Sequence, residues 1–580
     1  MSHPADEPIL LQAIGHHQAG RFADAEKLYR TILATNPNHV DALHYLGVLA
    51  GQFGRQDAAL ELIQRALALR PDDVEARFNL ATNLSGIGRL NESIAEFQRV
   101  LLARPDDANA HLLIADVFRR ANRKEESIAH LRRTIALHHA NPDAHNNLGN
   151  LLQERGDIDE AILCFQHSLA LRPGNAQTLN NLGNALRQKG DLDAAATTLR
   201  QAVEQMPSSA PIRTNLGSVL NDRGEVDAAI SEYRKALIDS PTYPEGWNYL
   251  GIALRELGRI DEALTAHRRA LSLRPDYSEA RYAEAWVLLL RGEFEEGWRA
   301  YESRPRAAPG WARFPNPWKG ESLAGRTILL HAEQGFGDTF QFGRYASVIS
   351  KLGARVILEC QRELVSVLTG LAGIEQLVAR DDPLPTFDVH CPLMSVPFVL
   401  RTRLDSIPSV VPYLDANPIA VAQWAERLKG PAVRHVGLVW AGRKSYSNDR
   451  NRSMRLAELS ALAGVSEITF HSLQTGEAAG EIAAAPHGFT VIDHRNGLND
   501  FADTAALIAN LDLVISVDTA VVHLAGAMGK PVWTMLPFAP DWRWMLDRED
   551  SPWYPTMRLF RQRERGNWGE VVARIANAFE

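Results

Sequence analysis

Residues 141–174 read NPDAHNNLGNLLQERGDIDEAILCFQHSLALRPG, one full period of a pattern that fills the first half of the chain. The stretch runs helix, glycine turn at Gly156, helix, and proline stop at Pro173. The same punctuation returns every 34 residues at Gly20, Gly54, Gly88, Gly156, Gly190, Gly224, Gly258 and Gly292. Asn122 fills the one slot without glycine, and asparagine is the next-best residue for a left-handed turn. Five residues after each slot stands a small residue: Ala25, Ala59, Ser93, Ser127, Ala161, Ala195, Ala229, Ala263 and Gly297. It lets the second helix pack closely on the first. Pro37, Pro71, Pro105, Pro173, Pro207, Pro241 and Pro275 keep the same step, and His139 breaks it. A single unit cannot bury its own apolar face, so the units must stack into an all-α superhelix with a concave face.

The period and its residues resemble the tetratricopeptide repeat. Asn147-Leu148-Gly149-Asn150, Asn181-Leu182-Gly183-Asn184 and Asn215-Leu216-Gly217 carry its first-helix signature, and Asp159-Glu160-Ala161 and Asp261-Glu262-Ala263 that of its second helix. The resemblance runs from about residue 12 to about 304, roughly nine units. Asn79, Asn147, Asn181 and Asn215 occupy one equivalent position. Such a ladder of amides along a groove can bond the backbone of an extended peptide without reading its sequence. It looks similar to the ladder of the O-linked N-acetylglucosamine transferases. The alternative is that these amides only bond neighbouring backbone between repeats.

The 580 residues allow two or three domains, and the net charge of −8 argues against a general nucleic-acid binder. Cys164, Cys360 and Cys391 are too few and too scattered for a zinc site or a disulfide framework. His16-His17 and His138-His139 read as surface pairs, and no metal is expected. Met1 to Leu10 has no signal-peptide pattern, and no apolar run reaches the roughly 18 residues of a membrane span. A cytoplasmic location is the resulting expectation.

Beyond Arg304 the period changes. Pro305–Ser322 is rich in Pro, Gly, Trp and Arg and reads as a packed connector. Short apolar runs at 327–332 and 355–360 then alternate with helical patterns, and a second set follows at 435–440, 468–473, 490–493, 513–516 and 531–533. This alternation means βαβ units and parallel sheets. The expected layout is repeat 1–304, connector 305–325, a first Rossmann-like lobe at 326–415, and a second, nucleotide-sugar-binding lobe with a closing tail helix at 432–580. Pro408–Pro431 is the hinge between lobes. Ligands belong in the cleft at the carboxyl ends of both sheets.

Three segments carry the chemistry. Gly335-Phe336-Gly337-Asp338 follows a strand and opens a helix, and Phe340 stands where a dinucleotide fingerprint needs its third glycine. The glycines let a ligand approach the backbone. Asp338 has two open roles, a helix N-cap on the Thr339 or Phe340 amide, or a base toward an acceptor hydroxyl. In Ser516-Val517-Asp518-Thr519-Ala520, a strand ends and Asp518 and Thr519 open a helix whose free amides form an anion site. His523 shares a face with Thr519 and either reaches the ligand or supports the loop. Lys444 lies in a loop after a strand, where it either offsets charge on a leaving phosphate or is simply solvated. Trp542, Trp544, Trp553 and Tyr554 either stack on a base or sugar or pack between lobes.

Together these residues resemble the two-lobed GT-B glycosyltransferases, most of all the heptosyltransferase group. That group has a Gly-Asp after its first strand, a Lys after the first strand of its second lobe, and an Asp-Thr-Gly-x-x-His motif. The resemblance implies Asp338 as general base and Lys444, Asp518, Thr519 and His523 as donor-binding residues. Ala520 departs from the motif glycine, and the first lobe is short, which puts a lipid-sugar acceptor in doubt. The joined architecture also resembles bacterial tetratricopeptide glycosyltransferases, including those that modify flagellin. The expected reaction is transfer of a sugar from a nucleotide-sugar co-substrate, without further cofactor or metal and with inversion, to a Ser or Thr of a protein held by the repeat. The rivals are a non-catalytic scaffold with a degenerate nucleotide-binding domain, and a transferase acting on a glycan or lipid-linked sugar.

Overall fold

A computed structural model describes residues 6–305, 314–429, 434–444, 446 and 448–580. They form two compact units, Met1–Asp239 and Ser240–Glu580. The first unit is seven antiparallel helix pairs, from Asp6–Gln18 with Phe22–Thr35 to Ala210–Asp222 with Val226–Asp239. The turn slots carry the backbone their residues were read for, with glycine φ between 71° and 98° and Asn122 at 58°. Asp73, Asp107, Asn141 and Asn175 cap first helices by accepting the N–H three residues on, at 2.9 to 3.0 Å.

Close packing within each pair depends on the small slot. Ala25, Ala59, Ala161, Ala195 and Ala229 have no exposed surface. Where the slot holds serine, the buried hydroxyl finds a carbonyl on the partner helix, Ser93 donating to Ala81 and Ser127 to Ala115 at 2.7 Å each. Gly217 is a second point of close approach, since a Cβ there would lie 2.5 Å from Cε1 of Tyr233.

The second unit begins inside the repeat. Two further helix pairs, Pro244–Glu256 with Ile260–Leu273 and Ser278–Leu290 with Phe294–Tyr301, belong to it. Residues 306–313 of the connector lie outside the described residues; beyond them, Trp318 is buried and donates its Nε1 to Glu321 O at 2.8 Å. Two all-parallel sheets follow. The first has the order β3-β2-β1-β4, with β1 Thr327–His331, β2 Arg355–Cys360, β3 Gln376–Ala379 and β4 Val389–Pro392. The second has the order β10-β9-β8-β5-β6-β7, with β5 Arg434–Val439, β6 Ile468–Ser472, β7 Val491–Ile492, β8 Leu513–Val517, β9 Val532–Leu536 and β10 Met557–Arg561. Val436 pairs with Phe470 on one side and Leu513 on the other, so the strand order reverses between β5 and β8. In the first sheet the reversal lies between β1 and β4. A ligand crevice opens at such a switch point. The helix Trp568–Asn577 closes the chain, burying Trp568, Val571, Val572 and Ile575 in the core of the second sheet. Among the described residues no helix is long and apolar enough to cross a membrane.

The last repeat helix is bound into this unit by aromatic and ionic contacts. Trp298, with 1% of its surface exposed, stands edge-on to Trp542 with ring centroids 5.2 Å apart, and Tyr301 is 5.8 Å from the same ring. Arg304 is buried, ion-paired with Glu302 and Glu333 at 2.8 Å each, and donates to Ser395 Oγ at 2.7 Å. Burial pushes the Glu333 carboxyl up to about 7, and Arg304 opposes that.

Two consequences are measurable. Gly217→Ala should cost about 1–3 kcal/mol in urea unfolding because it overpacks Tyr233. Gly15→Ala, on an exposed helix face with nothing within 4 Å of the new Cβ, should be neutral or stabilising by up to about 1 kcal/mol. A fragment starting at residue 240 should melt cooperatively, whereas one starting at 305 should not, because it lacks Trp298, Tyr301 and Arg304. Equal melting of both fragments would contradict the role given to these contacts.

Candidate functional site

The first wall of the site is built after β1. Gly335 takes an extended conformation and becomes the N-cap of the helix Phe336–Gly343, which puts Asp338 at its third position. Oδ2 of Asp338 accepts the Gly335 N–H at 2.8 Å. Asp338 therefore reaches back to the cap residue and does not cap the Thr339 or Phe340 amide, because the helix begins earlier than the Asp338 position alone suggested. Its side chain keeps 20% exposure, toward the cleft. Its Oδ1 is ion-paired with Arg543.

The second wall lies at the switch point of the other sheet. After β5 the backbone amides of Trp440 and Ala441 both donate to Oε1 of Gln474, at 3.1 and 2.9 Å, and Gln474 returns a bond to Ala441 O. After β8, Asp518 and Thr519 lead into the helix Ala520–Ala527. Thr519 is its N-cap residue and makes no side-chain cap bond; its hydroxyl lies 3.2 Å from Ser516 Oγ. The first amides of this helix thus carry partial positive charge without a side-chain acceptor, the geometry that suits an anion.

The two helices meet. A Cβ on Gly337 would lie 2.8 Å from Cδ2 of His523 and 3.6 Å from Cα of Ala520. Gly337 therefore serves helix-to-helix contact. His523 is buried, its Nδ1 is 3.1 Å from Tyr554 Oη, and its ring stacks on Trp544 at 5.5 Å. Burial holds the imidazole well below its ordinary range, so it is neutral. These contacts support the loop, and the same ring also lines the cleft. The tail aromatics also resolve: Trp542, Trp544, Trp553 and Tyr554 are all at most 1% exposed and pack as core.

The cleft holds about 1770 Å³. Gly335, Gly337, Asp338, Lys444, Asp518, Thr519 and His523 all line it, so the structure brings together the residues of the three chemistry-bearing segments, while the tail aromatics stay outside its lining. Lys444 is at the rim, its side chain 80% exposed and paired with the equally exposed Glu477 at 2.5 Å. Ser445 and Ser447 of its loop lie outside the described residues. Arg452 sits deeper, 17% exposed, donating Nη1 to Asp518 O at 2.8 Å with its guanidinium 4.4 Å from the Tyr446 ring. The lining has eight carboxylates and five Lys or Arg side chains, so no general basic field attracts an anion here. Asp518 is shifted upward, first by burial and then by the neighbouring Asp541. Among the described residues no cluster of three or more His, Cys, Asp or Glu is arranged to hold a metal ion.

Sequence reasoning missed Arg452, Asp541, Arg543 and the repeat-borne Tyr282, Trp286 and Tyr301, all of which line the cleft. The asparagine ladder lies in the first unit. Its Nδ2 atoms engage the preceding repeat, Asn79 meeting His44 Nε2 at 2.8 Å, Asn181 donating to Asn146 at 3.1 Å and Asn215 to Asn180 at 2.7 Å. Asn147 accepts a long bond from Asn146 at 3.5 Å. The partners of Asn79, Asn181 and Asn215 are side chains of the preceding repeat rather than backbone, and all four side chains stay half-buried.

Family models described as tetratricopeptide repeat match residues 10–74, 52–117, 141–208, 180–244, 244–277 and 278–302. A model described as glycosyltransferase family 9 (heptosyltransferase) matches residues 495–540, the segment with β8, Asp518, Thr519, His523 and β9. Protein FlbA of Caulobacter vibrioides is 31% identical over 329 residues, 51% of this chain and 54% of FlbA, so the chain spans about half that relative's length. Among solved structures, MamA is 25% identical over 28% of this chain and 94% of its own, with a TM-score of 0.27. The Cut9-Hcn1 hetero-tetramer of APC/C is 20% identical over 48% of this chain and 55% of its own, with a TM-score of 0.35.

Exposure separates the two cations. If the cleft takes a nucleotide, Arg452→Ala should weaken its binding by at least about tenfold, as expected for loss of a charge-assisted bond of about 1.5–3 kcal/mol. Lys444→Ala should change it less than about threefold, in keeping with a solvent-exposed charge. Isothermal titration with nucleotides decides, and a reversed order would return the phosphate role to Lys444.

Proposed function

From a chain that joins tetratricopeptide repeats to a glycosyltransferase family 9 segment, we propose a transferase that moves a sugar from a nucleotide-sugar donor to a Ser or Thr hydroxyl of a protein acceptor held by the repeat, flagellin among the candidates. The observation that carries this reading is the meeting of two helix starts in one cleft. One bears Asp338 with a solvent-facing edge, and the other leaves its first amides without a side-chain cap beside Arg452. The family 9 match falls on the second of them.

In this reading Asp338 takes the proton of the acceptor hydroxyl as its oxygen bonds to the anomeric carbon. The bond from that carbon to the donor phosphate breaks on the opposite side, which inverts the centre. The departing phosphate gathers charge where the amides at the start of the helix Ala520–Ala527 and the guanidinium of Arg452 receive it. Lys444 would add a rim charge. The chain's own groups account for both the proton and the charge, so the scheme invokes no metal.

A second reading, a non-catalytic nucleotide-binding scaffold, is favoured by Ala520 in place of the motif glycine and by the excess of carboxylates in the cleft. Melting of the full chain with UDP, GDP, ADP and CMP separates the readings together with transfer assays. At 100 times its dissociation constant a nucleotide should add about 2.7 kcal/mol to the unit that binds it. Asp338→Asn should keep that shift and lose at least about 100-fold in turnover. Burial raises the Asp338 carboxyl above its ordinary value, with Arg543 in opposition. A base works only when deprotonated, so kcat/KM should fall as pH drops through a value above the usual Asp range. A nucleotide shift with no transfer to any hydroxyl would favour the scaffold.

A further inference from the structure

Arg543 is the most heavily engaged cation in the cleft, and no step above uses it. It lies in the single turn Trp542–Trp544 after β9 and is 7% exposed. Its three nitrogens point at three different acceptors: Nε donates to Gln341 Oε1 at 2.7 Å, Nη1 to Asp541 Oδ1 at 2.8 Å, and Nη2 to Asp338 Oδ1. The flat of the guanidinium lies 4.3 Å from the Trp542 ring centroid. A planar fork with every edge bonded and one face stacked cannot rotate without breaking several contacts.

Two of those acceptors, Asp338 and Gln341, stand on the helix that follows β1 of the first sheet, while Arg543 and Asp541 follow β9 of the second. The Asp338 carboxylate is thus held at both oxygens, Oδ2 by the Gly335 amide of its own helix and Oδ1 by the fork from the other lobe. We propose that Arg543 is the positioning residue for Asp338, fixing which edge of the carboxylate faces the acceptor hydroxyl and doing so only when the two lobes are together. This rests on Asp338 being the base.

The groups facing Asp338 are Arg543 and Asp541 at the turn and Tyr301 and Arg304 at the end of the repeat, while the neutral His523 lies against Gly337 of the same helix. Among them Arg543 acts most strongly to lower the carboxyl, against burial and Asp541, which raise it. Its removal therefore moves the acidic limb of the pH profile upward.

The test is transfer kinetics against pH for the full chain and for Arg543→Gln, Arg543→Lys and Asp338→Asn, with the nucleotide-induced melting shift as the check on folding. Arg543→Gln should lower kcat by about 100-fold, the scale of a roughly 1 Å misplacement, while keeping the nucleotide shift. Its acidic limb should rise by about one pH unit. Arg543→Lys, which restores charge without the fork, should return the limb toward the parent position and leave kcat low. Parent kcat and parent limb in Arg543→Gln, with Asp338→Asn inactive, would overturn this inference alone. Turnover retained in Asp338→Asn would overturn the base assignment and this inference with it. Should Arg543→Gln lose the nucleotide shift, Arg543→Lys decides: parent kcat there overturns the inference, and low kcat with a parent limb supports it.

Discussion

Trp298, on the last repeat helix, meets Trp542 edge to face, and the build of the second unit depends on that contact. Two large indoles with almost no exposed surface remove more apolar area from water than any alanine contact in the repeat. Arg304 adds a buried ion pair with Glu333 three residues beyond Tyr301. Such a pair contributes little net stability when complete, yet removing one partner strands a buried charge at a cost of about 3–5 kcal/mol. The end of the repeat and the β-sheets therefore share one core. A boundary at the last repeat residue, natural from sequence periodicity, cuts through it. The division between compact units falls two helix pairs earlier.

The electrostatics of the cleft follow from the same crowding. Asp338, Asp518 and Asp541 gather around Arg543, with Arg452 at the Asp518 backbone. Burial disfavours each carboxylate, and the guanidinium offsets part of that cost. With carboxylates outnumbering cations, an incoming phosphate gains little from net charge. In the proposed reading it would gain from direction instead, through aligned amides at a helix start and a guanidinium at fixed distance.

Much of the scaffold was legible because it depends on local rules. A left-handed turn every 34 residues admits glycine or asparagine, and the structure has both. The second-half strands read from apolar runs were β1, β2 and β5 to β9, while the four-residue β3 and β4 left no comparable run and β10, flanked and broken by Arg558 and Arg561, was missed. Asp518 and Thr519 were readable because a strand end followed by a helix start is a local event. Arg543 was not, since its bond to Asp338 spans 205 positions and nothing local distinguishes it from a surface arginine. Lys444 was placed correctly after a strand, but its exposed position at the rim and its pair with Glu477, 33 residues on, were not legible locally. The asparagine ladder was seen correctly as a register, and tertiary packing used its amides between neighbouring repeats.

These contacts form one unbroken sequence from repeat to chemistry. Tyr301 and Trp298 press on one side of Trp542, Arg543 stacks on that ring, and its fork ends on the Asp338 carboxylate. Each link is short, buried and directional, so a shift of the Phe294–Tyr301 helix cannot be absorbed by solvent before it reaches Asp338. Tyr301 also lines the cleft beside Asp338, which makes the repeat part of the wall as well as its support. A loosely tethered repeat could not share a core with the turn that holds Asp338. The burial of Trp298 and Tyr301 is what separates those two designs in this chain.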